Sequence, residues 1–499
     1  MINFLKRAGI LWCLLLFFYT LPATENRTNF VFSANCIEAE QLIKILKLDR
    51  STFFLEAEHY AHTENVAVDL LEDYRDFYRL ITCQRADELH RLEKYKDQRI
   101  ARIKESDKNS PYYLYAQAEI QLHWAFARIF HKEYVKAAFE FRDAYKLLVE
   151  NEKKFPSFHP DEKSLGMLKA MLGTIPENFR WILSVIGMTG NYREGVKSIK
   201  NYLDRKNFPP EQILDRQSAE FYYTFMLLNF GDRKECWNFC KEVTSDYETN
   251  LFSAYLRAFT GIKCMHNEDA ITACSLRPRG NDYTSFYVMD FLLGQAKLNR
   301  LDKDADVYLK RFVSFYKGQN LVKDAYKRLS WYSILENDTE KYRIYLGLAG
   351  KFGTATSDED KIAQSESAAG IYPDIILLRS RLLFDGGYFS KAEDMIKTHP
   401  GKFKTHYQEI EYHYRYGRIM QESAKTGKAI ESYNRVLALS ENDHYYFAPN
   451  SCLQLGFIYL KLGYREMART YFEKTLTYKN YEYHSGISQQ AKEALNELD

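Results

Sequence analysis

"LGFIYLKLGYREMARTYF", Leu455–Phe472, holds two glycines and five aromatic rings, with no catalytic grouping. Its apolar residues recur at helical spacing on both sides of Leu462-Gly463-Tyr464. Gly456 and Ala468 are small and lie one in each half. Two helices joined by a tight turn approach closest where their side chains are smallest. That places Gly456 opposite Ala468, with Phe472 filling the groove beside them. Gly463 supplies a left-handed residue at the turn. The stretch reads as frame, and the fold depends on how often it recurs.

It recurs three more times. Gly417, Ala429 and Tyr433 repeat the spacing in "YRYGRIMQESAKTGKAIESYNRVL". Ser380, Leu383, Ala392 and Ile396 repeat it around "DGGY". Ala125, Ala137, Phe141 and Ala144 repeat it in "WAFARIFHKEYVKAAFEFRDAYKLL". These are the small, small and large positions of a tetratricopeptide unit. The 499 residues contain only 11 prolines and 23 glycines, too few breakers for many short strands. The fold class expected is all-α, a tetratricopeptide-like helical-repeat solenoid wound as a right-handed superhelix.

Between these units the pattern is helical but less regular. Lys323–Leu346 reads as two helices around Asn337-Asp338, and Gly294 and Ala305 form a pair one residue out of spacing. "SDED", Ser357–Asp360, is a capping box opening a helix that ends at Gly370. Ile487, Ala491, Leu495 and Leu498 share one helical stripe, as a helix closing the end of a solenoid requires. The organisation expected is a signal peptide over 1–23 and divergent N-terminal helices over 24–205. An irregular repeat region follows over 206–370, then repeats with a capping helix over 371–499.

"SPYYLYAQAEIQLHWAFAR" and "LLVENEKKFPSFHPDEKSLGMLKAMLGTIPENFRWILSVIGMTG" carry a more specific likeness, best over Ser110–Leu203. Here the chain resembles exported tetratricopeptide-repeat proteins of Bacteroidota-type bacteria. It is more distantly similar to the eukaryotic family of tetratricopeptide repeat protein thirty-nine and the fungal inclusion-body-clearance factor. The resemblance implies a helical solenoid engaged in protein binding and transfers no site residue.

Lys6 and Arg7 precede the apolar run Gly9–Leu21, and Ala23 offers a cleavage point before Thr24. This implies export to the periplasm or cell envelope, with an uncleaved anchor as the alternative. Cys13 lies near the start of the run, not after it, which excludes a lipidated cysteine. Cleavage lowers Lys+Arg from 69 to 67 against 67 Asp+Glu. A neutral chain lacks the field that nucleic acid requires. Cleavage would leave seven of the eight cysteines, an odd and scattered set that is not a disulfide framework.

No phosphate loop, dinucleotide fingerprint, nucleophile elbow or HExxH is present. Glu56, His59 and His62 lack the second Glu-x-x-His that a di-iron bundle needs. Cys264, His266 and Cys274 lack a fourth ligand, and Cys236 and Cys240 read as small buried residues. The expectation is a non-catalytic scaffold, without metal or cofactor, for a protein or peptide partner. A carbohydrate receptor or a helical enzyme with dispersed site residues is the alternative.

Repeat geometry turns positions 2, 5, 9 and 12 of each first helix to the concave face. The candidate groove is therefore Asp374 and Arg381 in one unit and Glu411, Tyr414, Arg418 and Gln421 in the next. The equivalent Asn450, Leu453, Phe457 and Leu460 are mostly apolar, so the C-terminal helix is expected to cover them. Sequencing of the mature N-terminus checks the export expectation. It should begin near Thr24, and a cytosolic chain with Met1 intact refutes it.

Overall fold

The computed structural model describes residues 28–498 apart from 176–180, 182–186, 188–189 and 441–444. The export segment, the cleavage point and Pro176 lie outside the described residues. Among those described, 24 α-helices follow one another with no strand and a single isolated bridge, Asn29 to Asn65. The N-terminal helices are α1 Ala34–Lys44, α2 Leu48–Ala61, α3 Ala67–Cys83, α4 Ala86–Lys104, α5 Tyr112–Phe130, α6 Tyr134–Lys154, α7 Pro160–Gly173, α8 Tyr192–Leu203 and α9 Ile213–Phe230. The middle run is α10 Arg233–Val243, α11 Leu251–Lys263, α12 Asn267–Leu276, α13 Val288–Asn299, α14 Ala305–Phe315, α15 Val322–Leu335, α16 Thr339–Lys351 and α17 Asp358–Ala369. The last are α18 Ile375–Asp385, α19 Phe389–Lys397, α20 His406–Glu422, α21 Thr426–Leu439, α22 Phe447–Lys461, α23 Arg465–Thr477 and α24 His484–Leu498.

Eight hairpins turn in one way. A single residue takes the left-handed conformation at Leu46, Lys132, Met265, Leu301, Asn337, Gly387, Ala424 and Gly463. In each, its N–H bonds the carbonyl three residues back, and the next N–H reaches back five, as Gly463 to Leu460 and Tyr464 to Tyr459. Seven residues before each turn stands a small, fully packed residue: Ala39, Ala125, Ala258, Gly294, Ser330, Ser380, Gly417 and Gly456. Nine residues after it a larger one is usually buried, as Leu55, Phe141, Leu346, Ile396, Tyr433 and Phe472 are. In the Leu301 hairpin both second-helix positions come one residue early, at Ala305 and Leu309.

The stretch from 251 to 351 is thus more regular than its sequence suggests. Met265, Leu301 and Asn337 stand 36 residues apart, a repeat period hidden because two of the three turns lack Gly or Asn. The left-handed state costs such residues about 1–2 kcal/mol, which the packed helix pair on either side imposes. The fold is an all-α helical-repeat solenoid.

The N-terminal helices depart from a simple stack. Helix α1 packs on α9, and Glu40 accepts from the Leu214 N–H at 3.2 Å. The glycines of this region serve a close crossing of α7 and α8. A Cβ on Gly195 would lie 2.4 Å from both the Ala170 nitrogen and the Gly166 carbonyl. One apolar core continues from Cys36 to Leu329, and separate clusters serve the later hairpins.

Two contacts shape the C-terminal half. The turn at Gly387 abuts the turn at Met265, since a Cβ there would lie 2.0 Å from the Met265 carbonyl. Tyr388 reinforces it, donating to Glu268 at 2.7 Å and accepting from Asn267 at 3.0 Å. At the chain end, Ile487, Ala491, Ala494 and Leu498 of α24 cover Leu453, Ala468 and Phe472, with Phe457 and Leu460 at the margin. Arg465 and Arg469 donate to the Leu498 carbonyl and hold the cap down.

Ala468 is fully buried. Ala468→Leu should overpack the last hairpin by about 1–3 kcal/mol. The expected outcome is a lower melting temperature with helicity kept, read by circular dichroism.

Candidate functional site

Helices α18 and α20, which carry the expected groove residues, stand side by side with α22, and their inward faces border a half-open cavity of about 330 Å³. Arg381, Phe384 and Asp385 come from α18; Tyr414, Arg415 and Arg418 come from α20. Tyr446 and Asn450 come from the start of α22. The remaining walls are Met265 at the α11–α12 turn, Asp358 opening α17, and Tyr483, Gly486 and Ile487 at the start of α24.

The six expected residues divide into two groups. Asp374, Glu411 and Gln421 are bonded into the frame. Asp374 caps α18, accepting from the Ile376 and Leu377 N–H groups at 2.9 and 3.0 Å. Glu411 is buried and accepts two bonds from Arg415, at 3.1 and 2.9 Å. Gln421 accepts from Tyr433 at 2.6 Å and donates to Gln454 at 2.9 Å. Arg381, Tyr414 and Arg418 instead line the cavity.

Of the three arginines in the lining, Arg381 and Arg418 carry little compensation. Arg418 donates to the Tyr414 hydroxyl at 3.2 Å and lies over the Phe384 ring at 5.1 Å. Its Nε is buried without a partner. Among the described residues no carboxylate comes within ion-pair distance of it. Arg381 lies over the Trp331 face at 4.7 Å, and its nearest carboxylate is Asp385 at 3.8 Å. Arg233 of α10 also approaches. Its side chain is half exposed and lies 3.7 Å from Glu422.

Aromatic rings complete the wall. Tyr446 meets Tyr414 edge-on at 5.4 Å and Tyr483 at 5.1 Å. Burial pushes the Tyr446 hydroxyl up to about 12, so it stays protonated and able to donate. Tyr483 holds a left-handed backbone at φ 62, a strained state for a tyrosine. Arg381, Arg418 and Tyr414 are the residues that sequence spacing had placed on this face. That spacing missed Arg415, Tyr446 and Tyr483, because the last two stand outside the repeat register and meet the cavity only through the fold.

A second polar cluster lies in the N-terminal helices and is closed to solvent. Lys163 of α7 is fully buried, 2.6 Å from Glu119 of α5 and 3.4 Å from Asp215 of α9. Ser164 accepts from Lys163 at 2.9 Å and donates to Glu119. Tyr74 and Tyr115 donate to Asp215. Burial would raise Glu119, but Lys163 and His123 outweigh it and hold the carboxyl below its usual range. Burial dominates at Asp215 and raises it. The cluster ties four helices together and offers no entry to a substrate.

The other sequence candidates are dispersed. Glu56, His59 and His62 are exposed. Cys264 and Cys274 are buried, and His266 stacks on Trp237 at 4.5 Å. Cys236 and Cys240 donate to the Thr224 and Leu256 carbonyls. Among the described residues no group of three or more His, Cys, Asp or Glu side chains is placed to hold a metal. No helix there is long and apolar enough to cross a membrane.

The tetratricopeptide-repeat family model matches residues 449–481, the last hairpin. No curated protein matches the chain. Two solved structures align with the chain over most of their length. One is the APC/C hetero-tetramer Cut9–Hcn1, at 13% identity and TM-score 0.28 over 93% of this chain and 96% of that one. The other is yeast Tom70, at 13% and 0.26 over 99% and 94%. The chain is tetratricopeptide-like.

Removing Lys163 tests the buried cluster. Lys163→Met leaves Glu119 and Asp215 without their cation, a loss of about 3–5 kcal/mol near neutral pH. Without the lysine, burial raises Glu119, so the folded variant keeps a proton that the unfolded chain has released. Its deficit against the wild type should therefore be largest near about pH 8 and shrink toward about pH 5. Asp69 and Asp161, raised to about 7 and about 8 chiefly by burial, titrate in both proteins, so the difference between them is the quantity to read. Chemical denaturation across that range checks it.

Proposed function

We propose that this protein is an exported, non-catalytic scaffold of bacterial type that holds a protein partner. One observation carries the reading: a single hairpin design recurs eight times, with the same turn and the same small crossing residue. Hairpins that pack mainly on their neighbours build long surfaces instead of one closed active site. Such surfaces suit extended protein contact, in which many weak contacts add over a wide area. The wide exposed faces of α6, α14 and α16 follow from the same stacking, and they carry isolated apolar side chains such as Phe139, Val307 and Ile344.

The location belongs to the same proposal. The signal-like segment would carry the chain across the inner membrane and leave a nearly neutral protein in the periplasm or at the envelope. The cysteines described are free, and six of the seven are buried.

Affinity capture with the full tagged chain in its own envelope tests the reading, followed by reconstitution with the purified candidate. One protein should be enriched over a tagged control of equal size and should co-elute with the scaffold as a saturable complex. Failure of every enriched candidate to co-elute refutes the scaffold reading.

A further inference from the structure

We infer that the cavity between α18, α20, α22 and α24 is a binding site for a small hydroxylated monocarboxylate, a molecule of the sugar-acid class. The inference goes beyond partner binding and stands on this cavity alone.

The dimensions of the pocket set the size of the occupant. Side chains from the α11–α12 turn, α17, α18, α20, α22 and the start of α24 all reach the lining. An open repeat groove would let an extended peptide lie across several hairpins. Here the α24 cap and the docked Met265 turn leave a half-open pocket of about 330 Å³ instead. That volume is at the low end for small-molecule sites and fits one compact ring or short chain.

Charge sets the ionic state. Three arginines face the chamber. Arg415 is held by Glu411 through two hydrogen bonds. Arg381 has Asp385 nearby, beyond hydrogen-bond distance and half exposed. Asp358 is paired with Lys361 at 2.8 Å and does not offset the arginines. Arg418 is left without a carboxylate, with its Nε buried and without a partner. One anionic charge balances this set. A neutral ligand leaves Arg418 uncompensated, and a dianion such as phosphate overshoots beside Asp385. The planar fork of arginine matches a carboxylate through two parallel bonds.

The rest of the lining sets the remaining chemistry. Among the described residues, the hydroxyls of Tyr446 and Tyr483 form no hydrogen bond, and each can both donate and accept. Asn450 accepts from Gln454 at 3.1 Å and keeps its amide hydrogens for a ligand. Phe384 and the edges of the tyrosine rings supply apolar faces. Hydroxyl groups on a compact carbon frame satisfy both kinds of wall. A carboxylate on an unsubstituted alkyl chain would leave the phenols unmatched.

Titration calorimetry on the full mature chain tests this, with sodium D-glucuronate and D-gluconate as probes and D-glucose, butyrate and inorganic phosphate as comparisons. At least one of the two hydroxylated acids should bind saturably at one site. Glucose, butyrate and phosphate should each bind at least about tenfold more weakly. Arg418→Met keeps the side-chain length, removes the charge and donors, and should weaken the acid at least about tenfold. Tyr483→Phe should weaken it severalfold, and serves if Arg418→Met does not fold. The proposal is overturned if neither hydroxylated acid binds saturably. It is equally overturned if a comparison binds as well, or if the folded variants bind like the wild type.

Discussion

The ring of Phe472 lies where a side chain on Gly456 would have to be: a Cβ built there would come within 2.4 Å of it. Tyr433 stands in the same relation to Gly417, at 2.9 Å. The pairing of a small residue with a large one, carried to its limit at these two glycines, is the constraint on which the solenoid depends. It lets two helices approach closely, and so fixes where the turn must fall. Once the crossing point is fixed, the turn residue has one conformation open to it. Leucine, lysine, methionine and alanine adopt it at several hairpins despite its cost. The crossing therefore dictates the turn, and the turn dictates how the next hairpin stacks.

Two clusters of charged and phenolic side chains show how this frame separates structure from site. Lys163, Glu119 and Asp215 sit where four helices converge, and each charge has partners within the cluster. Such a group specifies an arrangement of helices, and breaking it costs more than making it yields. Arg381, Arg418 and Tyr414 sit where three first helices face inward and the chain end folds over them. Their donors are incompletely matched, and solvent reaches the space between them. The same residue types are frame in one place and a candidate site in the other. The difference lies in whether the fold supplies the counter-charge.

Parts of the architecture were legible in the residues. Small residues and aromatics at fixed spacing located the hairpins at Ala125, Ser380, Gly417 and Gly456. The capping box at Ser357 opened α17, which ends at Gly370 as expected, and Ser357 accepts from the Asp360 N–H. The capping stripe from Ile487 to Leu498 covers the last unit. The turn at Asn337 and the offset Gly294–Ala305 pair were also legible; the hairpin at Met265 was not, because its turn carries neither Gly nor Asn, and no turn residue is shared by the three hairpins at Met265, Leu301 and Asn337. Their better marker was the small buried residue seven positions earlier, Ala258, Gly294 or Ser330.

The sequence by itself determined the repeat, because close packing at a crossing demands particular residue sizes at particular spacings, and those are written locally. It also placed Arg381, Tyr414 and Arg418 on one face, since helical periodicity is local too. Only the tertiary structure decided which charges were already neutralised. Asp374 was drawn into a helix cap, Glu411 onto Arg415 and Gln421 between Tyr433 and Gln454. It also decided that Met265 and Tyr483 line the cavity. Those contacts join residues far apart in the chain, and their geometry depends on how many hairpins intervene and how each one stacks.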